Sequence, residues 1–243
     1  MTRLGSHLHK MRLGLCNAYL IQGEGGAVLV DAGHVNFERT FIRYLKKHAI
    51  SPEAIKLIVI THVHFDHVGG LKNLKTMCGC PVAVHAREAS ALSHGAVFFP
   101  PGINLLGKMA SLLGSTVGKP FMKYPPVEPD IVVSEEMSLA PFGVSGKIIP
   151  TPGHTANSLT VLLTSGEAFV GDLAANYLPA NLGPIFPPFA ENVEELLQSW
   201  EDLLKAGARI ICPGHGRPFS AHLLRRKMRT LKNQPKALGR NPC

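Results

Sequence analysis

The stretch IKLIVITHVHFDHVGG, residues 55–70, decides the reading of this chain. It opens with IKLIVI, a short, continuous, β-branched run of the kind that forms a strand buried on both faces. It then places His62, His64, Asp66 and His67 within six consecutive positions. Four metal-capable side chains therefore sit at the end of an apolar strand. His62 and His64 are two apart and point the same way in extended backbone. Asp66 and His67 follow the turn and can face a second ion. Gly69 and Gly70 let the next helix start close to the cluster.

Three other apolar runs end the same way. IIPTPGH ends at His154, EAFVGD at Asp172, and IICPGHG reaches His215. Side chains at adjacent strand ends can converge on one point, and rigid scaffolds carry their sites on such loops. Imidazole and carboxylate donors suit zinc, and also iron or manganese. One tetrahedral zinc needs only three protein ligands plus water. Seven donors are too many for one ion. They fit two divalent ions about 3.5–4 Å apart that share one carboxylate and a bridging hydroxide. Zinc heads the candidates. The other histidines, His7, His9, His34, His48, His85, His94 and His222, read as surface or satisfied core residues.

Bulk properties bound the rest. The 243 residues fit one large domain or two small ones, and 45% hydrophobic residues supply a substantial core. No run reaches the roughly 18 apolar residues of a membrane span. The N-terminus has no apolar h-region, so a cytoplasmic protein is expected. Cys16, Cys78, Cys80, Cys212 and Cys243 are an odd number and read as reduced thiols. The formal charge of +8 lies partly in LLRRKMRTLKNQPK, residues 223–236. Without an aromatic platform this reads as a solvated helix face, and nucleic acid is not an expected partner.

Along the chain, residues 17–33 read as a hairpin about GEGG, with Asp31 at the end of its second strand. Residues 37–50 carry helical spacing. GGLKNLKTMCG reads as a helix, PVAVH as a strand and EASALSHG as a further helix. Strands return from 131. Residues 192–207 form an amphipathic helix with a glycine stop, ARIICPGHG a buried strand, and SAHLLRRKMRTLKN a closing helix. Strands then helices, twice over, predict two β-sheets packed face to face with helices outside. The seam falls near 130, within a single domain spanning 1–243.

DAG, THVHFDH, PGHT, GD and PGHG occur in this order from residue 31 to residue 216. In that order the chain resembles the metallo-β-lactamase-fold superfamily. The five elements together are far more specific than HxHxDH alone. The resemblance implies an α+β fold, a four-layer αββα sandwich of two mixed β-sheets. It implies that His62, His64 and His154 hold one metal, that Asp66, His67 and His215 hold the other, and that Asp172 bridges them. It implies that Asp31 hydrogen-bonds a ligand histidine and fixes its tautomer. Asp66 and Asp31 are the candidate catalytic residues.

Members of that superfamily hydrolyse lactams, thioesters, lactones, phosphodiesters and other esters. Asp172 at the bridging position departs from the true β-lactamases. The chain ends soon after His215, without the glutathione-binding helical domain of glyoxalase II enzymes. Tyr177 is similar to a tyrosine of the acyl-homoserine lactonases, at a different offset. Residues 98–130 read as a lid insertion or a homodimer contact. There Phe98, Phe99, Ile103, Leu105, Leu106, Met109, Leu112, Leu113, Phe121 and Met122 can line an apolar pocket. The expectation is a dinuclear hydrolase of an ester, thioester or lactone, acting on a small molecule with an apolar or acyl portion. Three alternatives stay open. One is a mononuclear iron persulfide dioxygenase using His62, His64 or His154-like positions plus Asp172. The others are a phosphodiesterase or nuclease, and a non-catalytic metal-loaded sensor.

Overall fold

The computed structural model describes residues 5, 7–96, 101–103, 108–109, 111–112, 122–176 and 185–232. Most of the expected lid, and Tyr177, lie outside the described residues.

Two six-stranded sheets form the centre. The first contains β1 (Leu8–Leu13), β2 (Cys16–Gln22), β3 (Ala27–Val30), β4 (Ile55–Val59), β5 (Val82–His85) and β6 (Ile131–Val133), in sequence order. Its first three strands pair antiparallel and β3 to β6 pair parallel. The second contains β7 (Met137–Ser138), β8 (Gly146–Pro150), β9 (Leu159–Leu163), β10 (Glu167–Asn176), β11 (Ile210–Gly216) and β12 (Phe219–Ser220). There β10 and β11 run parallel and the other neighbours antiparallel.

Strand alternation assigns the faces. In β2, Ala18 and Leu20 join Phe41 and Leu45 of α1 (Glu38–Lys47), Leu71 and Leu74 of α3 (Leu71–Cys78), and Leu92 of α4 (Ala89–His94). Between α1 and α3 lies the one-turn α2 (Phe65–Val68). Tyr19 and Ile21 point the other way, into a core shared with Ile148, Val161, Phe169 and Cys212 of the second sheet. The outer face of that sheet packs Val170 and Ile211 against Leu196, Trp200 and Leu203 of α5 (Val193–Lys205) and Leu224 of α6 (His222–Lys232). Three apolar seams between four layers make the αββα sandwich. Asn192 caps α5, its side chain accepting from the Glu194 and Glu195 amides. The Trp200 indole donates to Leu173 O at 2.8 Å, which ties the helix to β10.

Two local readings are corrected. Residues 8–13 form an edge strand where the sequence offered only a charged N-terminus. Lys10 and Arg12 interrupt the apolar face that Leu8 begins, so the alternation is hidden. The seam also lies past 130. Residues 131–133 extend the first sheet, with Ala83 opposite Ile131, and the Asp130 carboxylate accepts from the Val82 amide at 2.8 Å. Among the described residues no helix is long and apolar enough to cross a membrane.

Candidate metal centre

His62 and His64 leave the end of β4, and the carbonyl of His64 starts α2 by accepting from His67 N and Val68 N. That single turn aims Asp66 and His67 at the same cavity. His154 lies in the turn between β8 and β9, Asp172 in β10 and His215 in β11. The β10–β11 register shifts between Gly171 and Ala175, which displaces Asp172 from regular pairing. Two glycines permit the approach. A Cβ on Gly171, at φ +51°, would lie 2.4 Å from Thr61 Oγ1. One on Gly214 would lie 2.6 Å from His67 Cε1 and 2.7 Å from Asp172 Oδ1.

All seven expected donors meet. Three overlapping trios have donor atoms within 4.8 Å of one another: His62, His64 and His154; His62, His67 and Asp172; Asp66, His67 and His215. Asp172 Oδ1 is 3.4 Å from His67 Nε2, while its Oδ2 is 3.3 Å from His215 Nε2 and 3.8 Å from His154 Nε2. Asp66 Oδ2 is 3.2 Å from His215 Nε2.

The residues fit metal ions. Buried polar atoms are nearly always paired, yet His62 Nε2, His64 Nε2, His67 Nε2 and Asp172 Oδ1 have no hydrogen bond among the described residues. The opposite ring nitrogens are anchored. His67 Nδ1 donates to Asp31 Oδ2 at 2.8 Å, His154 Nδ1 to Phe189 O at 3.0 Å, and His215 Nδ1 to Leu15 O at 3.0 Å. The Thr61 hydroxyl donates to Asp31, so it accepts from His62 Nδ1 at 3.0 Å. With each Nδ1 anchored as a donor, each Nε2 is the nitrogen left to present a lone pair to an ion. His64 Nδ1 and His154 Nε2 face each other at 3.2 Å, a pair of donors that one cation can satisfy.

Charge divides the histidines: burial opposes a proton on His67, but Cys16, Asp31, Asp172 and Asp66 overcome it and raise the group well above its ordinary value. Burial pushes His62 well below its ordinary pKa, helped by His67, His64 and His154. Burial and His154 lower His64 to about 3, and burial lowers His154. These imidazoles are neutral at neutral pH. Burial pushes Asp172 up, but His215 and His67 outweigh it and hold the carboxylate well below its usual range. Burial likewise opposes a proton on His215, and Asp172 and Asp66 overcome it, raising the group to about 10.

Asp31 takes φ +62°, rare for a residue other than glycine, and accepts from the Thr61 amide at 2.9 Å as well as from His67. It reaches one histidine of each metal trio, His67 directly and His62 through Thr61. Sequence reading missed Glu88, buried behind the site. Its carboxylate accepts from Val63 N at 2.6 Å and from the Thr155 hydroxyl at 2.8 Å. Val63 lies between His62 and His64, and Thr155 follows His154, so one carboxylate ties the two loops of the first trio together. Burial raises it to about 7. An acidic residue amid EASALSHG gave no signal beyond a helix. Cys16 was read only as a reduced thiol. It donates to Asp66 O at 2.8 Å.

Five of the donors, His64, Asp66, His154, Asp172 and His215, line a cavity of about 640 Å³ whose apolar wall includes Leu15, Phe65, Met122 and Phe189. Of the residues expected to line an apolar pocket, Met122 does so. Ile103 instead packs against the outer core of the second sheet, because 101–103 pairs with 188–190. Met109 and Leu112 are exposed, and the rest lie outside the described residues.

Comparison with known proteins agrees with the geometry. The family model of the metallo-beta-lactamase superfamily matches residues 11–215. A probable metallo-hydrolase of Bacillus subtilis, YflN, is 24% identical, over 93% of this chain and 90% of its own length. An atrochrysone carboxyl ACP thioesterase of Aspergillus fumigatus is 23% identical over 88% of this chain, the match spanning 54% of that protein. The crystal structure of TTHA1623 in a di-iron-bound form superposes with a TM-score of 0.62 at 25% identity, covering 90% of this chain and 97% of that one. The chain belongs to the metallo-beta-lactamase superfamily.

Proposed function

We propose that this superfamily member, a metal-dependent hydrolase, uses two divalent metal ions to cleave an ester, thioester or lactone of a small organic substrate. The observation that carries the reading is the meeting of seven His and Asp donors with four orphaned buried donor atoms among them. His62, His64 and His154 would hold one ion, and Asp66, His67 and His215 the other. Asp172, with one oxygen turned to His67 and the other to His215 and His154, would be shared. Bound ions of this kind supply a water of lowered pKa and electrophilic stabilisation of developing negative charge.

The chain's own groups do the rest. Asp31 fixes the proton of His67 on Nδ1, and Thr61 does the same for His62. Asp66, a ligand in this reading, also faces the place where a water would be oriented. The cavity volume suits a small ligand, and Leu15, Phe65 and Met122 suit an acyl chain. The thioesterase relative favours a thioester among the three bond types. Zinc heads the candidate metals on donor chemistry, and the di-iron neighbour keeps iron beside it.

Elemental analysis of protein purified without added metal, paired with a panel of thioester, lactone, ester and phosphodiester substrates, tests the reading. Two ions per chain and turnover of at least one acyl substrate are expected. One iron per chain with oxygen consumption would replace it with a dioxygenase. Bis(p-nitrophenyl) phosphate cleavage far above ester turnover would replace it with a phosphodiesterase.

A further inference from the structure

The same cavity is bordered by positive charge from both sheets. Lys10 and Arg12 come from β1, and Arg217 directly follows β11. Strand alternation puts Lys10 and Arg12 on the face that Leu8 begins, and Leu8 belongs to the core between the sheets. Opposite them on β2, Ile21, Tyr19 and Asn17 pair with Leu8, Lys10 and Arg12. The face therefore grades from apolar to polar to cationic towards the metal donors.

Lys10 is half-buried, yet among the described residues its ammonium meets only neutral acceptors, Asn17 Oδ1 and Gly216 O, each at 3.4 Å. The ion pairs found among the described residues include none of Lys10, Arg12 and Arg217. The acids lining the cavity, Asp66 and Asp172, are turned to histidines instead. Burial lowers the pKa of Lys10, and Arg12 and Arg217 lower it further, so each guanidinium stands close enough to repel the Lys10 ammonium. A bound anion relieves that repulsion. Gly216 is next to His215 in sequence, so Lys10 touches backbone adjoining a candidate metal donor.

We propose that Lys10, Arg12 and Arg217 form an anion subsite, and that the substrate carries a carboxylate or phosphate close to the bond that is cleaved. This rests on the hydrolase reading above and narrows its substrate to an acidic small molecule. A walled cavity of about 640 Å³ suits such a molecule better than a polymer.

The test uses matched substrate pairs with metal-loaded protein. Mono-4-nitrophenyl adipate against 4-nitrophenyl hexanoate places the anion on the acyl side. Hexanoyl-coenzyme A against hexanoyl-N-acetylcysteamine places it on the thiol side. At least one charged member is expected to show the higher kcat/KM. In the double variant Arg12→Gln, Arg217→Gln that preference should fall on the order of tenfold, mainly through KM. Added salt should reduce it in the parent protein. Calorimetric titration of the same proteins with adipate and with coenzyme A reads the subsite whether or not any substrate turns over. Binding weakened in the double variant supports the subsite. No charge preference in either pair, or equal loss for both members, overturns it, as does stronger competition by a short oligonucleotide than by either small anion. If no acyl substrate is cleaved but anion binding still depends on Arg12 and Arg217, the hydrolase reading fails and the subsite stands.

Discussion

Asp31→Asn preserves volume and removes one acceptor. The Asp31 oxygens accept from the Thr61 amide at 2.9 Å, the Thr61 hydroxyl at 3.0 Å and His67 Nδ1 at 2.8 Å. An asparagine offers one oxygen and one NH2. With its oxygen on the Thr61 amide, its NH2 confronts His67 Nδ1–H. His67 then has to carry its proton on Nε2, the nitrogen 3.4 Å from Asp172. With the amide flipped, the Thr61 N–H is left unpaired in a buried place, at a cost of about 1–3 kcal/mol. In the first orientation the second ion would lose its properly oriented imidazole; in the flipped one the loss falls on the Thr61 contact. Loss of such a supporting partner weakens metal binding about 10–100-fold, or about 1.4–2.7 kcal/mol. His62 feels the change only through Thr61, so the first ion should weaken less. Zinc titration of metal-free protein against a chromophoric chelator separates the two steps, and circular dichroism checks the fold. Parental affinity for both ions, or equal loss at both, would refute the assignment of Asp31 to His67.

Asp172→Ala should empty or weaken both metal positions and abolish turnover, whereas His215→Ala should weaken only the second ion; metal content and activity measured together distinguish them. Glu88→Ala leaves the Val63 amide unpaired, while the Thr155 hydroxyl keeps Ser158 Oγ at 2.9 Å, so unfolding free energy should fall by about 1–3 kcal/mol, and Glu88→Gln should recover part of it; equal stability of all three proteins in urea would remove Glu88 from its bracing role. In metal-free protein His215, raised to about 10, contributes stability that is full below its ordinary pKa and lost as pH rises towards 10. The lowered His62, His64 and His154 act in the opposite sense only near and below their ordinary value. Denaturant midpoints with chelator present should therefore decline between pH 7 and 10, and a rise would contradict the His215–Asp172–Asp66 cluster.

The donor set was legible because each donor follows an apolar run and has Gly or Pro close by, and both signals are local; that Asp172 and His215 lie inside β10 and β11 was not. The two-sheet order was legible because IKLIVI and ARIICPGHG are apolar on both faces. β1 was hidden by Lys10 and Arg12, whose charges answer to a cavity and not to the core. β6 was assigned to the wrong half because three residues cannot declare a partner. That choice is made by Val82 and Asp130, 48 positions apart. Asp31 was expected to orient a histidine, but the backbone groups that orient His154 and His215 were invisible for the same reason. Leu15 O meets His215 across 200 positions, Phe189 O meets His154 across 35, and backbone carbonyls leave no mark in a sequence. Glu88 shows the limit well. Its residue type suits a helix start, and only the third dimension reveals the two loops it holds.

Both trios that would each hold an ion draw on strands from both halves, His154 joining His62 and His64 from across the sandwich, and His215 joining Asp66 and His67. Ions held there would act as rivets between the two sheets. A chain emerging from the ribosome has no complete second trio until residue 215 is available, so uptake of a second ion would wait for the nearly finished molecule. Once loaded, the molecule must eject its ions before the halves part. Its lifetime against proteases should then track the free metal supply of its surroundings.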